Sequence, residues 1–472
     1  MVNNAKKIPL AWLLASASFV SIIIVSYLKT SLELEDAEQA YYSQWWRLGY
    51  DDQPPLYTWI QKAINSVFGV TEFSFSFLRG ILFGAVILSF YKLAKKVLNN
   101  KVKAEVMVLG LAFVPVFIDF AFRRLSHTLL LCFMVIVTLL VIVQLIEKRS
   151  VYNYLFLGVC FGFGMLSKYN YSIFLMMVLG VSFFDASLKR IIWNPKLLVS
   201  CIIAFLLFSP NFYWLIQGEY LGFIGESIGT KLETEGKGIP VLTPLLETTV
   251  AFLEMVFPLI LAVALFLLLK KVRWNASNTP KWLRNMGILQ ITVLLLFFMF
   301  MNVQEVQARW LLPLLLPYLI WLIGNLDIAG EKVIKWGVPL FLLILVFQTL
   351  RTPAERFLGI TSDIHFDYSG LSNKLNTEYS EAIWVLPNVT YGGQIRLYNP
   401  KKELFTLDDF SIPESKKYDE PHVILSSLSR LSESLMPTDS LLQYGPDKEN
   451  LYFFEVYGTE NLPFHSSSTS EN

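Results

Sequence analysis

The sequence predicts a polytopic α-helical membrane protein that ends in a small soluble α/β domain. Hydrophobic residues make up 54% of the 472 residues and the mean hydropathy is +0.49, which is too high for a soluble globular chain. The apolar residues lie in runs of roughly 17 to 22, about the length of a helix that crosses a bilayer. From Thr352 onward the apolar runs shorten to the length of strands.

Eleven apolar runs are predicted to span the membrane. The first follows Lys6 and Lys7 and continues past the small-residue stretch Ala15–Ala17, which predicts an uncleaved anchor and not a signal peptide. The predicted spans are Ile8–Leu28, Phe75–Leu93, Val106–Phe120, Thr128–Ile146, Tyr152–Met165, Ile173–Phe184, Leu197–Leu215, Thr249–Leu269, Met286–Met301, Trp310–Ile323 and Val333–Leu350.

The distribution of Lys and Arg predicts the orientation of these spans. Basic residues cluster in alternate connections, and cytoplasmic loops are the ones that carry such an excess. The amino terminus is therefore predicted in the cytoplasm. An odd number of spans then places the tail, Arg351 to Asn472, on the outer side together with the connection Leu32–Trp59. The basic clusters are Lys6 and Lys7; Lys92, Lys95, Lys96, Lys101 and Lys103; Lys148 and Arg149; Lys189, Arg190 and Lys196; Lys270, Lys271, Arg273, Lys281 and Arg284; and Lys332 and Lys335.

Composition also excludes several functions. A net charge of +1, with the basic residues spread over short connections, does not favour binding to nucleic acid. The cysteines Cys132, Cys160 and Cys201 all lie inside apolar runs, so the sequence offers neither a disulfide framework nor metal-ligand spacing.

The tail is predicted to be a soluble α/β domain over residues 351–472. Strand-length apolar runs occur at Ala382–Leu386, His422–Leu425 and Leu451–Val456, and a helical stretch precedes them near Ser369–Glu378. The pattern predicts a layered fold without a recognisable phosphate-binding loop or catalytic triad.

The connection Leu32–Trp59 combines acids with aromatic side chains, a mixture that suits the recognition of a sugar. Four of the aromatics have helical spacing, which predicts a short helix at the membrane interface. A solvated interfacial helix without a catalytic role is the alternative interpretation. The acids are Glu33, Glu35, Asp36, Glu38, Asp51 and Asp52, and the aromatics are Tyr41, Tyr42, Trp45, Trp46, Tyr50, Tyr57 and Trp59.

The other outward connections also carry polar residues that are unusual at a membrane edge. Ionisable groups at membrane depth are costly and mark substrate paths, so cations from separate connections are predicted to converge with the acids of the first. For a single residue such as Lys168, snorkelling to the interface is the alternative. The residues are Asp119, Arg123, Arg124, Ser126 and His127; Ser167 to Asn170; Glu219, Glu226 and Lys231 in the loop Gln217–Glu247; and Gln304, Glu305 and Arg309.

Several of these stretches resemble a known family. The segments Glu35–Gln39, Gly49–Tyr50 and Gln53–Trp59 are similar to the first extracytoplasmic loop of bacterial family 39 glycosyltransferases. These are GT-C fold enzymes akin to lipid A aminoarabinose transferases and protein O-mannosyltransferases. The stretches Arg124–Thr128, Leu166–Tyr171 and Arg309–Pro313 agree with the same family. The resemblance covers about residues 8 to 350, and it implies a transmembrane GT-C domain at 1–350 with a catalytic first outer loop at 29–74.

The resemblance implies a site and an inverting transfer. The family's catalytic acid maps onto Glu35 by spacing and onto Asp36 by residue type, because the usual Asp-Glu order is reversed here; Asp36 is favoured. Cations for the donor phosphate are implied at Arg124, Lys168, Arg309 and Arg123. Sugar- or acceptor-binding positions are implied at Glu38, Tyr41, Tyr42, Trp45, Asp52, Pro54, Pro55, His127, Tyr169 and Glu305. No cofactor or metal is required, and a divalent cation shared by the acids is left open.

The implied partners are a polyprenyl-phosphate-linked sugar donor and a lipid, glycan or protein acceptor at the outer face of a bacterial inner membrane. Lipopolysaccharide and other envelope glycans are among the implied acceptors. A transporter or flippase for a lipid-linked sugar is the alternative function. Transporters often contain internal repeats with broken helices at the bilayer midplane, and no such repeat is evident in the sequence. A polysaccharide polymerase or ligase is a second alternative.

Overall fold

The computed structural model describes residues 9–123, 126–217, 239, 241–268, 272–360, 363–412, 417, 422–426, 439–444 and 449–456. Packing divides the chain into two units. The first unit comprises Met1–Ile24, Asp52–Tyr57 and Phe77–Leu350, and we call it the helical unit. The second comprises Val25–Asp51, Thr58–Ser76 and Arg351–Asn472, and we call it the mixed unit.

The chain is mostly helical. In chain order the helices are α1 Leu10–Ser26, α2 Leu34–Tyr42, α3 Leu56–Phe68, α4 Glu72–Leu98, α5 Lys101–Gly110, α6 Pro115–Arg123, α7 His127–Glu147, α8 Val151–Ser167, α9 Tyr171–Ser182, α10 Ala186–Ile192, α11 Leu197–Gln217, α12 Leu242–Leu268, α13 Lys281–Phe300, α14 Ala308–Leu315, α15 Leu319–Gly324, α16 Gly330–Phe357, α17 Ser369–Glu378 and α18 Val389–Tyr398. Short 3₁₀ turns lie at Leu111–Phe113, Leu316–Tyr318 and Asp363–His365.

Within the described residues, six helices are long and apolar enough to cross a bilayer, and the number rises to eight if two bent pairs each form one span. Each of the eleven predicted runs overlaps at least one helix, and three of these runs coincide with shorter apolar helices or helix pairs, at Leu10–Ser26, Val151–Ser167 and Ala308–Gly324. The prediction of a polytopic helical membrane protein is confirmed. The count of eleven stays a prediction.

The bent pairs have local causes. The axis turns by 69° between α5 and α6, where Pro115 opens the second helix and cannot donate a hydrogen bond to the turn before it. It turns by 115° between α9 and α10. There the Asp185 side chain caps α10 by accepting from the backbone N–H groups of Ser187, at 2.8 Å, and Leu188, at 3.3 Å.

The helical unit packs through small residues. A Cβ at Gly158 of α8 would collide with the backbone of Ser200 on α11, and one at Gly162 would collide with Leu207. Glycine at both positions therefore lets α8 and α11 approach closely, as small residues do between membrane helices. Most of α7 is buried, whereas only 11% of the apolar window of α16 is buried, as expected for a helix that faces lipid.

The strands within the described ranges form two sheets. A two-residue antiparallel ladder joins β1, Arg273–Trp274, to β2, Leu326–Asp327, in the helical unit. The mixed unit holds a five-stranded sheet of β3 Ile383–Leu386, β4 Leu404–Thr406, β5 His422–Ser426, β6 Asp439–Tyr444 and β7 Glu449–Val456. Its order is β4-β3-β5-β7-β6, with β3 parallel to β4 and β5, and β7 antiparallel to β5 and β6. Helix α18 connects β3 to β4, which forms a βαβ unit.

The core of the mixed unit draws in side chains from the first connection. Tyr41, Tyr42 and Tyr50 are buried in one apolar cluster with Trp384 of β3 and Phe453 of β7. Packing therefore groups most of the connection Leu32–Trp59 with the tail. The sequence instead predicts that this connection belongs to the transmembrane domain 1–350. The difference arises because the aromatic side chains of α2 are buried against the sheet and are not displayed on an interfacial helix.

Candidate active site

Helix α2 presents the two candidate catalytic acids in different environments. Glu35 and Asp36 both lie in its first turn, where the helix dipole favours negative charge. Consecutive helical residues point about 100° apart. Asp36 consequently falls on the buried face with Ala37 and Ala40 and is 3% exposed, while Glu35 is half-buried. Glu38 is half-buried as well.

The beginning and middle of α2 are fixed by helix α18. The Gln394 side chain accepts a hydrogen bond from the backbone N–H of Leu32 at 3.0 Å and donates one to the Leu32 carbonyl at 2.8 Å. Beside it, a Cβ on Gly393 would overlap the backbone of Ala37. The two helices therefore touch backbone to backbone, one residue after Asp36.

The end of α2 is fixed by a buried carboxylate. Asp409 accepts a hydrogen bond from the Tyr41 hydroxyl at 2.9 Å and forms an ion pair with Arg47 at 3.2 Å. The Arg47 guanidinium also lies over the Trp45 ring, 4.1 Å from its centroid. Burial, reinforced by the charge of Asp409, raises the pKa of Tyr41 well above its ordinary value, so the phenol stays protonated and donates.

A reciprocal backbone contact adds a further attachment after α2. The Gln44 side chain donates to the Leu404 carbonyl at 3.3 Å and accepts from the Leu404 N–H at 3.1 Å. Next to it, the Trp45 ring stacks on Phe405 with 5.9 Å between centroids and 7° between planes. The acid-bearing helix is thus attached to the tail before, within and after its own length.

The side chains of Tyr41, Tyr42 and Trp45 are packed against other side chains of the mixed unit. Tyr41 is fully buried, Tyr42 is 4% exposed, and Trp45 is stacked and partly buried. Packing against the sheet accounts for the burial of these three aromatic side chains, and no ligand is needed to explain it. The assignment of sugar-binding roles to them stays a prediction.

Lys29 and Glu72, which were not among the predicted site residues, interact with the acids Glu33 and Asp36 respectively. Lys29 and Glu33 lie 3.9 Å apart, nitrogen to oxygen, with side chains only 2% and 4% exposed. Glu72, at the start of α4, interacts electrostatically with both Lys29 and Asp36. The i,i+4 spacing of Lys29 and Glu33 was a usable signal, whereas the proximity of Glu72 depends on the tertiary structure.

The helical unit brings another group of predicted residues together. His127 opens α7, is 6% exposed, and lies with its ring 4.9 Å from that of Tyr57, centroid to centroid. Lys168 and Asp52 both act electrostatically on His127. Asp52 also acts on Tyr169, whose pKa is raised to about 12, chiefly by burial. We call Asp52, His127, Lys168 and Tyr169 the Lys168 cluster, after its lysine.

Helix ends position the members of this cluster. Lys168 follows the last residue of α8, and its Nζ donates to Thr128 Oγ1 on α7 at 3.2 Å. The Tyr169 hydroxyl lies 3.4 Å from Asn211 Oδ1 on α11. Asp52 precedes the buried pair Pro54 and Pro55, whose ring-restricted backbone leads directly into α3.

The remaining cations occupy other helix ends of the same unit. Arg309, in the first turn of α14, donates through Nε to Gln307 Oε1 at 2.7 Å, and Gln307 donates to Glu305 at 3.1 Å. Glu305 is exposed and Arg309 is half-buried. Arg123 is the half-buried last residue of α6. Arg124 lies outside the described residues, as does most of the loop Gln217–Glu247.

A buried arginine in α4 was also missed. Arg79 is 1% exposed and donates from a terminal guanidinium nitrogen to the Phe122 carbonyl at 3.2 Å, next to Arg123 at the end of α6. The signal was present in the sequence, because Arg79 interrupts the apolar run Phe75–Leu93 and ionisable groups inside such runs are rarely without a role.

The predicted site residues are divided between the two units. Among the residues described, no three His, Cys, Asp or Glu side chains are close enough to hold a metal ion. The mixed unit holds Glu35, Asp36, Glu38, Tyr41, Tyr42 and Trp45, and the helical unit holds Asp52, Pro54, Pro55, Arg123, His127, Lys168, Tyr169, Glu305 and Arg309.

Comparison with known proteins gives consistent similarities. Residues 52–214 match the family described as dolichyl-phosphate-mannose-protein mannosyltransferase. Two lipopolysaccharide core galacturonosyltransferases of Rhizobium johnstonii are similar along most of the chain. RgtB is 25% identical over 86% of this chain and 84% of its own length. RgtA is 27% identical over 89% of this chain and 86% of its own length.

The fold has a solved counterpart. The crystal structure of ArnT from Cupriavidus metallidurans bound to undecaprenyl phosphate matches with a TM-score of 0.64 at 12% identity, covering 93% of this chain and 97% of ArnT. Its apo state matches with a TM-score of 0.56 at 11% identity and the same coverage. These matches confirm the resemblance indicated by the sequence motifs: the chain resembles GT-C glycosyltransferases and has the fold of ArnT.

Proposed function

We propose that the protein transfers a sugar from a polyprenyl-phosphate donor to a hydroxyl of a cell-envelope acceptor at the outer face of a bacterial inner membrane. The observation that carries this proposal is the buried carboxylate of Asp36 on a helix held before, within and after its length. A general base needs its oxygen within about 3 Å of the oxygen atom whose proton it removes, so a helix held in a fixed position suits the task.

In the proposed step, the acceptor oxygen attacks the anomeric carbon on the side opposite the leaving phosphate. The bond between that carbon and the acceptor oxygen forms as the bond to the phosphate oxygen breaks, which inverts the anomeric configuration. The acceptor proton passes to the carboxylate of Asp36. Glu35, which is half-buried and one residue earlier, is the second candidate for this role.

The leaving lipid phosphate requires cations. Lys168 and Arg309 are half-buried at the ends of helices in the helical unit, and Arg123 ends α6. Arg124, outside the described residues, completes the proposed set. Guanidinium groups bind phosphate through two parallel hydrogen bonds, and a lysine acts as a point charge; both offset the charge that accumulates on the departing oxygen.

The acceptor that we propose is the lipopolysaccharide core, because two relatives aligned over most of their length are lipopolysaccharide core galacturonosyltransferases by name. A galacturonate donor on a polyprenyl phosphate is the corresponding first choice. We further propose eleven spans, a cytoplasmic amino terminus and an outer location for the α/β tail. The charge distribution and the three shorter apolar helices support this arrangement.

Reconstitution tests the reaction. We expect the purified protein in nanodiscs to transfer the sugar of a polyprenyl phosphate to lipopolysaccharide that lacks it, and not to use a sugar nucleotide. Mass spectrometry of the lipopolysaccharide measures the transfer. Use of the nucleotide alone would contradict the donor class. Transfer to a peptide or a free glycan, but not to lipopolysaccharide, would contradict the acceptor class.

A reporter experiment tests the orientation. A fusion after Asn472 is expected to be active outside the cytoplasm, and one after Lys103 inside it. A cytoplasmic tail would contradict the proposal, because the acid-bearing helix belongs to the same packing unit as the tail.

A further inference from the structure

A groove between α4 and α7 in the helical unit has no role in the transfer proposed above. It has a volume of about 770 Å³, within the range of sites that hold small molecules and lipids. One wall is a single face of α4, formed by Ala85, Leu88 and Ser89 and continuing to Lys92. The spacing of three, four and seven residues places these side chains on one stripe of the helix.

The facing wall is a stripe of α7. Phe133, Val137, Leu140 and Val141 recur at helical spacing and are followed by Gln144. Toward its middle the groove is thus lined by apolar side chains from both helices. Phe133, Val137 and Leu140 are each half-buried, so the apolar wall is accessible.

One end of the groove is strongly basic. Its lining there includes four lysines and one glutamate, a formal charge of +3. Lys96 pairs with Glu147 at 2.7 Å. Lys92 and Lys95 are exposed and form no ion pair with the part of the chain that the structure describes. The lysines are Lys92, Lys95, Lys96 and Lys101.

The length of the groove fits one leaflet. From Ala85 to Lys96 the helix rises about 16 Å at 1.5 Å per residue, roughly half of a hydrocarbon core about 30 Å thick. A groove of that total length, apolar at one end and basic at the other, can hold part of one acyl chain together with an anionic head group. Basic pockets between membrane helices bind such lipids.

We propose that this groove is a binding site for an anionic phospholipid, with an acyl chain between α4 and α7 and the head-group phosphate at Lys92 and Lys95. The predicted orientation places the basic end at the cytoplasmic surface, where anionic lipids attract basic residues. The site is separate from the residues assigned to the transfer reaction.

Native mass spectrometry of the detergent-purified protein tests the proposal, with phosphatidylglycerol, phosphatidylethanolamine and a polyprenyl phosphate added in turn. Phosphatidylglycerol is expected to bind most tightly. The double variant Lys92→Ala/Lys95→Ala should weaken its retention by about thirtyfold, since each basic residue contributes about a factor of five. Val137→Trp should weaken it by filling the apolar channel without changing charge.

The matched control is Lys332→Ala/Lys335→Ala, an exposed lysine pair with the same i,i+3 spacing near the start of α16 and outside the groove. It should leave lipid retention unchanged, and melting temperatures should show that all variants are folded. Equal retention of phosphatidylglycerol in the groove and control variants would overturn the proposal. The proposal would also be overturned if phosphatidylethanolamine bound as tightly as phosphatidylglycerol. The same holds if polyprenyl phosphate were the only lipid whose binding depended on these lysines.

Discussion

The acid-bearing helix and the Lys168 cluster are built in different ways. Around Asp36, helix α2 is attached through hydrogen bonds between the Gln394 side chain and the Leu32 backbone, a close backbone contact and a buried ion pair. Lys168, by contrast, extends from a helix end on a long side chain and is half-exposed. The difference matches the two tasks. Proton transfer tolerates little displacement, whereas a phosphate can be bound by several adjustable cations.

The largest effect is expected from removing the base. Asp36→Asn keeps the shape of the side chain but cannot take a proton, so turnover should fall by on the order of 10² to 10⁴. Steady-state transfer to lipopolysaccharide measures the loss, and retention of polyprenyl phosphate should be unchanged. Glu35→Gln is the matched control and should lose less. If Glu35→Gln is the inactive variant, then the base is Glu35, and the spacing of the motif predicts its position better than the residue type does.

The next effect is expected from breaking the attachment at the end of α2. Asp409→Ala leaves the largely buried guanidinium of Arg47 without its partner, and the loss of one member of a buried pair destabilises by about 3 to 5 kcal/mol. Chemical denaturation followed by tyrosine and tryptophan fluorescence measures the change. The control is Glu378→Ala, at an exposed carboxylate of the same unit that lies 3.8 Å from Lys374, because a surface pair of this kind contributes about 0 to 1 kcal/mol. Equal stability of both variants would show that the pair does not hold the helix.

A smaller effect is expected at a phosphate-binding cation. Lys168→Ala should weaken use of the donor by about 1.5 to 3 kcal/mol, the contribution of one charged hydrogen bond. The ratio kcat/KM with varied donor concentration measures it. Lys189→Ala, an exposed lysine of α10, is the control. An unchanged kcat/KM in a stable Lys168→Ala protein would show that this lysine does not bind the donor phosphate and only extends to the membrane interface.

The smallest effect on turnover is expected at the contact between α2 and α18. Gly393→Ala places a methyl group against the backbone of Ala37, which cannot move aside as a flexible side chain can, so the loss of stability should reach or exceed the upper end of the about 1 to 3 kcal/mol typical of overpacking. We expect a lower melting temperature together with a lower kcat, because Asp36 is the next residue to Ala37. Gly84→Ala is the control, since its Cβ would make an ordinary 3.7 Å contact with Ala15. A lower melting temperature with unchanged kcat would show that this contact stabilises the protein but does not position Asp36.

Much of the helical unit could be predicted from the sequence. Apolar runs such as Thr128–Ile146 and Leu197–Leu215 became helices because, in a membrane, a backbone must satisfy its own hydrogen bonds. The short strands of the tail near Ala382–Leu386 and Leu451–Val456 were also predictable, since their apolar runs are bounded by turn residues. The bends at Pro115 and Asp185 were harder to predict, because a continuous run of apolar residues does not indicate where the helix axis changes direction.

The candidate site was predictable in its residue types and less so in its surroundings. The acids and cations were recognisable because charges are rare in so apolar a chain. The environment of Asp36 could not be predicted, because it depends on Gln394 and Asp409, which lie more than 350 residues further along the chain. Likewise, Tyr41 and Tyr42 had the spacing of an interfacial helix, and only packing against the sheet reveals their structural role.

The sequence by itself determined that the protein is a helical membrane protein that resembles GT-C glycosyltransferases, because hydropathy, charge and short motifs are local properties of the chain. The tertiary structure decided which face of α2 is buried and therefore separated Asp36 from Glu35. It also placed Lys29, Glu72 and Arg79 among the charged groups of the two units. Burial and contact between distant segments are set by how helices and strands pack, and no local pattern specifies that packing.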